Sequence, residues 1–351
     1  MKNVKMLLIF MITSTLLLAS AQRVNSLGGN VGYWADDDNS WTAFPHTLNN
    51  SNLAQVSGLG SMEGHNAIVR WGDGTKWGFS WNQANANDMI NLQWGSGSMG
   101  ATFGLSMSAD DNGLAGDANM KTSDMGISAS WGQAMGFGDL GVGFSNSSSD
   151  DGVATTKDDH ATMGLTVNLR RALPLLLFDN MLVNFVYGTD NVACGGDCST
   201  TGSAVTTMAL ATSLFTHIDI ADGTTGLIAM GFGYGSVAGG AMKDATGSAI
   251  MLPSYTFAVE SAMTDWATCR IGVNAGYILN SAANSGVSGV KDVTHQGGMN
   301  TDFSVGLGFN YGSFNLDVDV SEGLFTNPVQ HVTGYESIAP EGATATLTYA
   351  W

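Results

Sequence analysis

Hydrophobic and small polar residues alternate one by one along most of this chain. Trp77, Phe79 and Trp81 interleave with Lys76, Gly78 and Ser80, and Ala101, Phe103, Leu105, Met107 and Ala109 interleave with Gly100, Thr102, Gly104, Ser106 and Ser108. Met125 to Trp131, Met163 to Leu169 and Phe314 to Val320 repeat the pattern. Side chains of a strand point alternately to its two faces, so each segment has one face of large apolar residues and one of Gly, Ser, Thr and Asn. A helix would need apolar residues every three or four positions, and these segments lack them. The spacing predicts sixteen strands near 53–59, 64–71, 75–82, 88–94, 99–109, 122–132, 137–147, 159–169, 179–188, 203–214, 225–236, 251–263, 266–280, 299–310, 313–321 and 343–351. The first alternates poorly and the second is short, so fourteen is the alternative count. Arg171 to Asn180, apolar throughout Leu173 to Phe178 around Pro174, breaks the period and is predicted as a turn at the inner interface, not a strand.

The connections alternate in length. Residues 72–74, 95–98, 132–135, 264–265 and 311–312 read as tight turns rich in Gly and Asp. Residues 110–121, 146–158, 190–201, 236–249, 280–298 and 322–342 read as longer, polar and acidic loops. A soluble β-sandwich is the rival, with the large residues forming a shared core. Three features weigh against it: the loop alternation, the small hydrophilic second face, and the aromatic residues gathered at strand ends. Those are Trp71, Trp77, Trp81, Trp94, Trp131, Trp266, Tyr311, Tyr349 and Trp351, as interfacial girdles require. Strands cross lipid only as a closed barrel without unpaired edges. The expected fold is therefore all-β, a transmembrane antiparallel up-and-down β-barrel over residues 53–351. Short turns and both chain ends would lie on the periplasmic side, with the long loops outside.

The last strand, Ala343 to Trp351, ends the chain on an aromatic residue. It resembles the closing strand of bacterial outer-membrane β-barrels, whose final aromatic is read by the barrel assembly machinery. That resemblance implies outer-membrane lipid and the assembly machinery as partners, and a Gram-negative bacterium as the source. The other end of the chain fits export. Lys2 and Lys5, the apolar run Met6 to Leu18 and Ala19-Ser20-Ala21 form a secretory signal peptide pattern with cleavage after Ala21. The run is short for a membrane helix, which needs about 20 residues. Without the leader the net charge moves from −18 to −20, because two of 12 basic and none of 30 acidic residues are lost. A field of that sign repels nucleic acid.

Residues 22–52 do not alternate. They carry Leu27-Gly28-Gly29-Asn30, Ala35-Asp36-Asp37-Asp38-Asn39-Ser40 and Trp41-Thr42-Ala43-Phe44-Pro45. This stretch resembles the N-terminal segment of the long-chain fatty-acid transporter family, in which a Gly-rich stretch, Ala-Asp-Asp and Asn-Pro-Ala tuck into the lumen. Here Phe44-Pro45-His46 replaces Asn-Pro-Ala. The resemblance implies a plug; a periplasmic lead-in capping the barrel is the other reading.

Candidate chemistry is sparse. Cys194-Gly195-Gly196-Asp197-Cys198 in an external loop is read as a local disulfide, since exported proteins oxidise such pairs, and Cys269 as a lipid-facing residue. Glu260 and Arg270 fall opposite each other if the hairpin turns at Asp265, giving either a lumen charge pair or a structural cross-strand ion pair. Arg70, Lys76 and Arg170 are further expected lumen cations, and Asp124, Asp302, Asp317 and Asp319 lumen anions. Leu182, Val186 and Leu227 are the few large apolar residues placed on the inner face. Asp110-Asp111, Asp150-Asp151 and Asp158-Asp159 lack the regular spacing of a calcium loop. The histidines are dispersed, and no catalytic arrangement, metal site or cofactor is expected.

The reading that follows is a porin-like outer-membrane channel for passive diffusion of small hydrophilic solutes, favouring cations, with a homo-oligomer left open. A structural or surface-binding barrel and a fatty-acid-transporter-like barrel for hydrophobic ligands are the alternatives.

Overall fold

In a computed structural model, residues 22–60, 65–84, 87–111, 121–150, 158–194, 203–240, 246–284, 293–295, 297–320 and 343–351 are described. The leader, Met1 to Ala21, lies outside them. The segment ahead of the strands holds a short helix α1 (Gln22–Ser26) and three 3-10 turns, Val31–Tyr33, Ser40–Thr42 and Pro45–Asn50. The strands are β1 (Leu53–Leu59), β2 (Asn66–Trp71), β3 (Thr75–Ala84), β4 (Asn87–Ser96), β5 (Met99–Asp111), β6 (Lys121–Met135), β7 (Gly138–Asp150) and β8 (Asp158–Leu175). They continue with β9 (Phe178–Cys194), β10 (Ser203–Ala221), β11 (Thr224–Gly240), β12 (Thr246–Thr264) and β13 (Ala267–Asn284). The last are β14 (Val293–His295), β15 (Met299–Tyr311), β16 (Phe314–Val320) and β17 (Ala343–Ala350).

Successive strands pair antiparallel, β13 pairs with β15, and β17 returns to pair with β1. The three-residue β14 adds only to the far end of β13. The result is a closed antiparallel barrel of sixteen strands, with no free edge for another chain to extend. Its hairpins turn tightly at one end, where Gly97 and Gly312 take φ of 59° and 61° that a side chain would resist. Both ends of the barrel chain meet there, Trp351 N–H donating to the Asn52 carbonyl at 3.3 Å.

The period-two pattern places the residues as its physics requires. Leu92, Phe103, Met107 and Met125 face out and are more than half exposed. Arg70, Gln93 and Thr346 face in and are buried. One inner row runs Arg70, Gly78, Gln93, Thr102, Ser130 across β2 to β6, each the register partner of the next.

Three expectations need correction. Arg171 to Asn180 is mostly strand: β8 continues to Leu175 and β9 starts at Phe178, leaving Leu176-Leu177 as the turn, with Leu176 at φ 60°. Pro174 is accommodated at a register shift between Ala172 and Leu175, where the ladder does not need its missing N–H. Residues 132–135 are not a turn either, since β6 runs to Met135. Finally, β7 to β13 reach well into the predicted long loops, to Asp150, Cys194 and Gly240. Beyond the apolar band both strand faces turn polar, so the alternation fades while the backbone ladder continues.

The nine aromatic residues expected at strand ends all face outward. Trp71, Trp77, Trp94, Trp131, Trp266, Tyr311, Tyr349 and Trp351 gather towards the tight-turn end, forming one belt there, whereas Trp81 stands further along β3, beside Ile90. Rings pack within the belt, Phe314 tilted against Tyr349 at 4.8 Å and Tyr349 stacked on Trp351 at 5.7 Å. Cys269 faces outward, half-buried. The Cys194–Cys198 pair lies outside the described residues, because Cys198 is not among them.

Candidate functional site

Residues 22–52 lie inside the barrel and make a floor across it near the tight-turn end. Their path is set locally. Gly28 and Gly29, at φ 92° and 73°, turn the chain out of α1. Asn30 Oδ1 accepts from the Gly32 N–H at 2.9 Å and caps the first 3-10 turn. Asp37 Oδ1 accepts from the Asn39 N–H at 2.9 Å, and the Ser40 hydroxyl donates to the Trp34 carbonyl at 2.6 Å. Pro45 opens the last turn, where its missing N–H costs nothing.

The floor meets the wall through charge on one side. Arg23 Nε donates to Glu260 at 2.9 Å, Nη1 to Asp37 at 3.0 Å and Nη2 to Asp36 at 3.3 Å. Glu260 also accepts from Arg270 at 2.8 Å, and Arg270 reaches Asp317 at 2.5 Å. Burial works against the charge on Arg23, but the Glu260 hydrogen bond and the fields of Asp37, Glu260 and Asp36 outweigh it and raise its pKa above the ordinary value. Gln22 adds bonds to Thr344 at 3.2 Å and to the Thr346 hydroxyl. Behind this clamp, Asn274 donates to the Gly28 carbonyl at 2.6 Å.

The opposite side is held by fit. Gly95, Gly100, Gly132, Gly141 and Asn168 form one inner row across β4 to β8, each the register partner of the next. A Cβ on any of the four glycines would come under 3.0 Å from floor atoms of Asn49, Pro45 or Ala43. Asn168 closes the row by donating to the Ala43 carbonyl at 3.3 Å. Asn49 spans the gap to the Gly97 and Met99 carbonyls at 3.1 and 2.9 Å. Below it, Asp139 accepts twice from Arg170, at 3.0 and 2.8 Å, and pairs with His46 at 3.1 Å. Arg170 also donates to the Gly32 carbonyl and lies 4.5 Å over the Phe44 ring.

Between these two sides the floor has an apolar core. Leu27, Tyr33, Trp34 and Phe44 pack on Leu182, Phe215, Leu227, Ala229 and Ala258 of the wall. Tyr33 lies 5.0 Å from Phe215 and donates its hydroxyl to Ser213 at 2.9 Å, and burial pushes that hydroxyl's pKa up. A smaller cluster joins Trp41 and Leu48 to Leu53 and Ile68. Beside it Arg70 is buried and donates to the Asp38 carbonyl at 2.9 Å; among the described residues its Nε and Nη1 have no hydrogen-bond partner. With α1 against β15, β16 and β17 and Lys76 bonded to Asn52 at 2.6 Å, the floor touches every one of the sixteen barrel strands.

The nine charges singled out from sequence all sit on the inner face. Glu260 and Arg270 are direct register partners, as their hairpin spacing implies. They belong to the floor clamp together with Asp317, while Arg70, Lys76 and Arg170 each hold another point of the floor. Asp124, bonded to Ser108 at 2.9 Å, stands apart from the floor, nearer the far end, whereas Asp302 and Asp319 lie at the floor's edge, register partners of Asn274 and of Gly306 and Thr344. Leu182 and Leu227 are inner apolar residues as expected, used to seat Tyr33 and Trp34; Val186 is half-buried outside that cluster. Sequence reasoning missed Arg23, Asp139, His46 and Phe215. The inner glycines, read as lumen lining, receive floor backbone. Among the described residues no group of three or more His, Cys, Asp and Glu could hold a metal ion.

Above the floor, towards the far end, lies a cavity of about 670 Å³ lined by Asn30, Asn184, Thr212, Ser254, Asn274 and Asp302, among others. On the tight-turn face, cavities of about 510 and 480 Å³ flank Asp36.

Fold and site together define a class: a closed β-barrel of the outer-membrane type, sixteen strands around, with its own N-terminal segment laid across the lumen. No protein-family model matches the chain, and no curated protein matches it. Solved structures similar to it include BamA from Haemophilus ducreyi lacking POTRA domains 1–3, at 9% identity and TM-score 0.43, covering 86% of this chain and 70% of that one. CdiB from Escherichia coli matches at 11% identity and TM-score 0.46, covering 86% and 62%. The siderophore receptor PirA from Pseudomonas aeruginosa matches at 10% identity and TM-score 0.36, covering 86% and 80%. At TM-scores this low the likenesses carry no argument, and the closed barrel rests on the strand pairing above.

Proposed function

We propose that this protein is a plugged outer-membrane channel for small hydrophilic solutes, closed at rest by residues 22–50. The observation that carries the reading is the floor's contact with all sixteen strands. A barrel of this strand number encloses an aqueous lumen when its inward side chains are small, so a segment spanning that lumen sets what passes. The floor modifies the simple porin expectation, because passage requires it to shift. The cavity above it carries Asn30, Asn184, Thr212, Ser254, Asn274 and Asp302 among apolar residues such as Leu182, Met251 and Val320, and these polar groups support the reading for hydrated solutes. Leu182, Phe215 and Leu227 of the inner wall are already covered by Leu27, Tyr33, Trp34 and Phe44.

Export by the Met1–Ala21 leader, residence in outer-membrane lipid and insertion by the assembly machinery through the Ala343–Trp351 strand belong to the same proposal. So does a preference for cations, supported by Asp302 and Asp319 at the floor's edge. The test is solute influx into liposomes holding the mature chain or a variant lacking residues 22–50. Sugars and salts of graded size should enter the variant vesicles much faster. Equal, slow entry into both would leave a structural barrel as the better reading.

A further inference from the structure

The tight-turn rim of the barrel is uneven in chemistry. Its Trp and Tyr side chains follow one arc, from Trp266 through β15 to β17 and β2 to Trp131 on β6. The arc from β8 to β11 has no Trp or Tyr at its turns and carries aliphatic residues instead. Leu176 and Leu177 make the β8–β9 turn, 91% and 61% exposed, and Leu175 before them is exposed too. The ladder sets Asn180 of β9 opposite Phe215 of β10, so the end of β10 adjoins this turn, and Ile220 there is 57% exposed. Every other tight turn contains Gly or Asp. Leu176 instead takes φ 60°, the one positive-φ residue that is not glycine among the described residues. That conformation is costly for a leucine, and a turn serving only to reverse the chain would carry Gly or Asn.

Around this apolar tip stand exposed carboxylates, Asp179, Asp219 and Asp222. Arg171 above the turn is partly buried, and among the described residues no Lys or Arg is exposed at this rim. Charge selects what can cover the leucines. Phospholipid headgroups bring phosphates that these carboxylates repel, and the Trp and Tyr that favour the headgroup level are missing from this arc. A second copy packed about a two-fold axis would set the same carboxylates against each other. A segment with Lys or Arg beside aliphatic side chains matches both features at once.

We infer that the β8–β9 turn is a docking point for a periplasmic protein segment that combines aliphatic side chains with Lys or Arg. Leu175, Leu176, Leu177 and Ile220 form its apolar centre, and Asp179, Asp219 and Asp222 its charged edge. The inference rests on the membrane reading, which puts this rim in the periplasm, and its test separates the two.

The probe is a short fluorescent peptide of alternating Lys and Leu, added to the mature chain in phosphatidylcholine nanodiscs, which leave the rim open to solution. A Glu–Leu peptide of equal length and empty nanodiscs are the controls. The Lys–Leu peptide should bind the loaded discs about ten-fold more tightly than it binds empty ones, and the Glu–Leu peptide should not. Leu176→Asn with Leu177→Asn should abolish that difference; Asn accepts φ 60° readily, and heat-modifiable gel migration checks that the barrel is folded. Asp219→Asn with Asp222→Asn should weaken binding several-fold and flatten its salt dependence. Binding that survives the leucine change overturns the inference, as does binding no better than to empty discs. Bimane at Leu176→Cys, in a chain carrying Cys194→Ser, Cys198→Ser and Cys269→Ser, should be quenched by aqueous iodide. Quenching by acyl-chain bromines instead gives the turn to lipid and overturns the inference while the membrane barrel stands. A chain that does not enter nanodiscs at all removes the membrane reading itself.

Discussion

The floor is fastened chiefly by charge on one side and chiefly by fit on the other. Gly272 and Gly306 also seat Gly28 and Ser26 on the charged side, and His46 pairs with Asp139 on the other. Towards β12, β13 and β16 it is clamped by charge, with Arg23 set among Glu260, Asp36 and Asp37 and Arg270 completing the chain to Asp317. Towards β4 to β8 it is seated by shape, with the backbone of Ala43 to Pro45 lying on glycines. A charged clamp comes undone by exchanging protein partners for water and ions, leaving the wall intact. A glycine seat has no such alternative partner; it is lost only when the segment lifts bodily. The clamped side comes first along the described residues, and the seated side leads directly into β1. On the proposed plugged-channel reading, the Gln22–Trp34 half is the part expected to release and the Pro45–Asn52 half the part expected to stay.

Substitutions that disturb each side separately sharpen this comparison. The largest effect is expected from Gly100→Val combined with Gly132→Val. Neither glycine is in a positive-φ conformation, so the strands tolerate the change, while Pro45 is displaced outright. Channel conductance in planar bilayers should rise close to that of a chain lacking residues 22–50; an unchanged low conductance would remove the glycine seat from the account. Next is Phe215→Ala, which empties the socket under Tyr33 and should weaken the floor by about 3 kcal/mol. Limited proteolysis after Arg23 is the readout, with faster cleavage expected at unchanged barrel stability.

Arg23→Gln should destabilise the clamped end by about 2–3 kcal/mol, less than for a fully buried pair because Asp36 is largely exposed. Its signature is a higher open probability that added salt no longer increases, whereas salt promotes opening of the unaltered chain. If both respond to salt alike, the clamp is not the releasing side. The smallest effect has the opposite sign. Among the described residues Arg70 keeps two donors unpaired beside Trp41, so Arg70→Met should tighten the seated side by about 1 kcal/mol, seen as slower proteolysis of the floor.

Much of the wall was legible in the sequence, because a wall with large apolar side chains outside and small polar groups inside imposes a strict period of two. All sixteen strands fall close to their predicted places, and the turn at Asp265 sets Glu260 against Arg270. Strand length was less legible, since β7 to β13 run on past the outward apolar rows into stretches such as Val237 to Gly240, where neither face needs to be apolar. The floor was least legible. Its contacts join residues far apart in sequence, Arg23 with Glu260 and Ala43 with Gly141, and no period links them. An inward glycine beside water and an inward glycine beside another backbone look identical in one sequence. Arg23, a single cation within an acidic segment, carried the only local hint, because Asp36 to Asp38 follow it closely enough to fold back on it.

Single-channel conductance of the mature chain, recorded beside the same chain without residues 22–50, tests the account most directly. The complete chain should stay shut or flicker at low conductance, and the shortened chain should hold a steady, larger open level. Steady conductance of equal size in both would mean that residues 22–50 do not close the lumen.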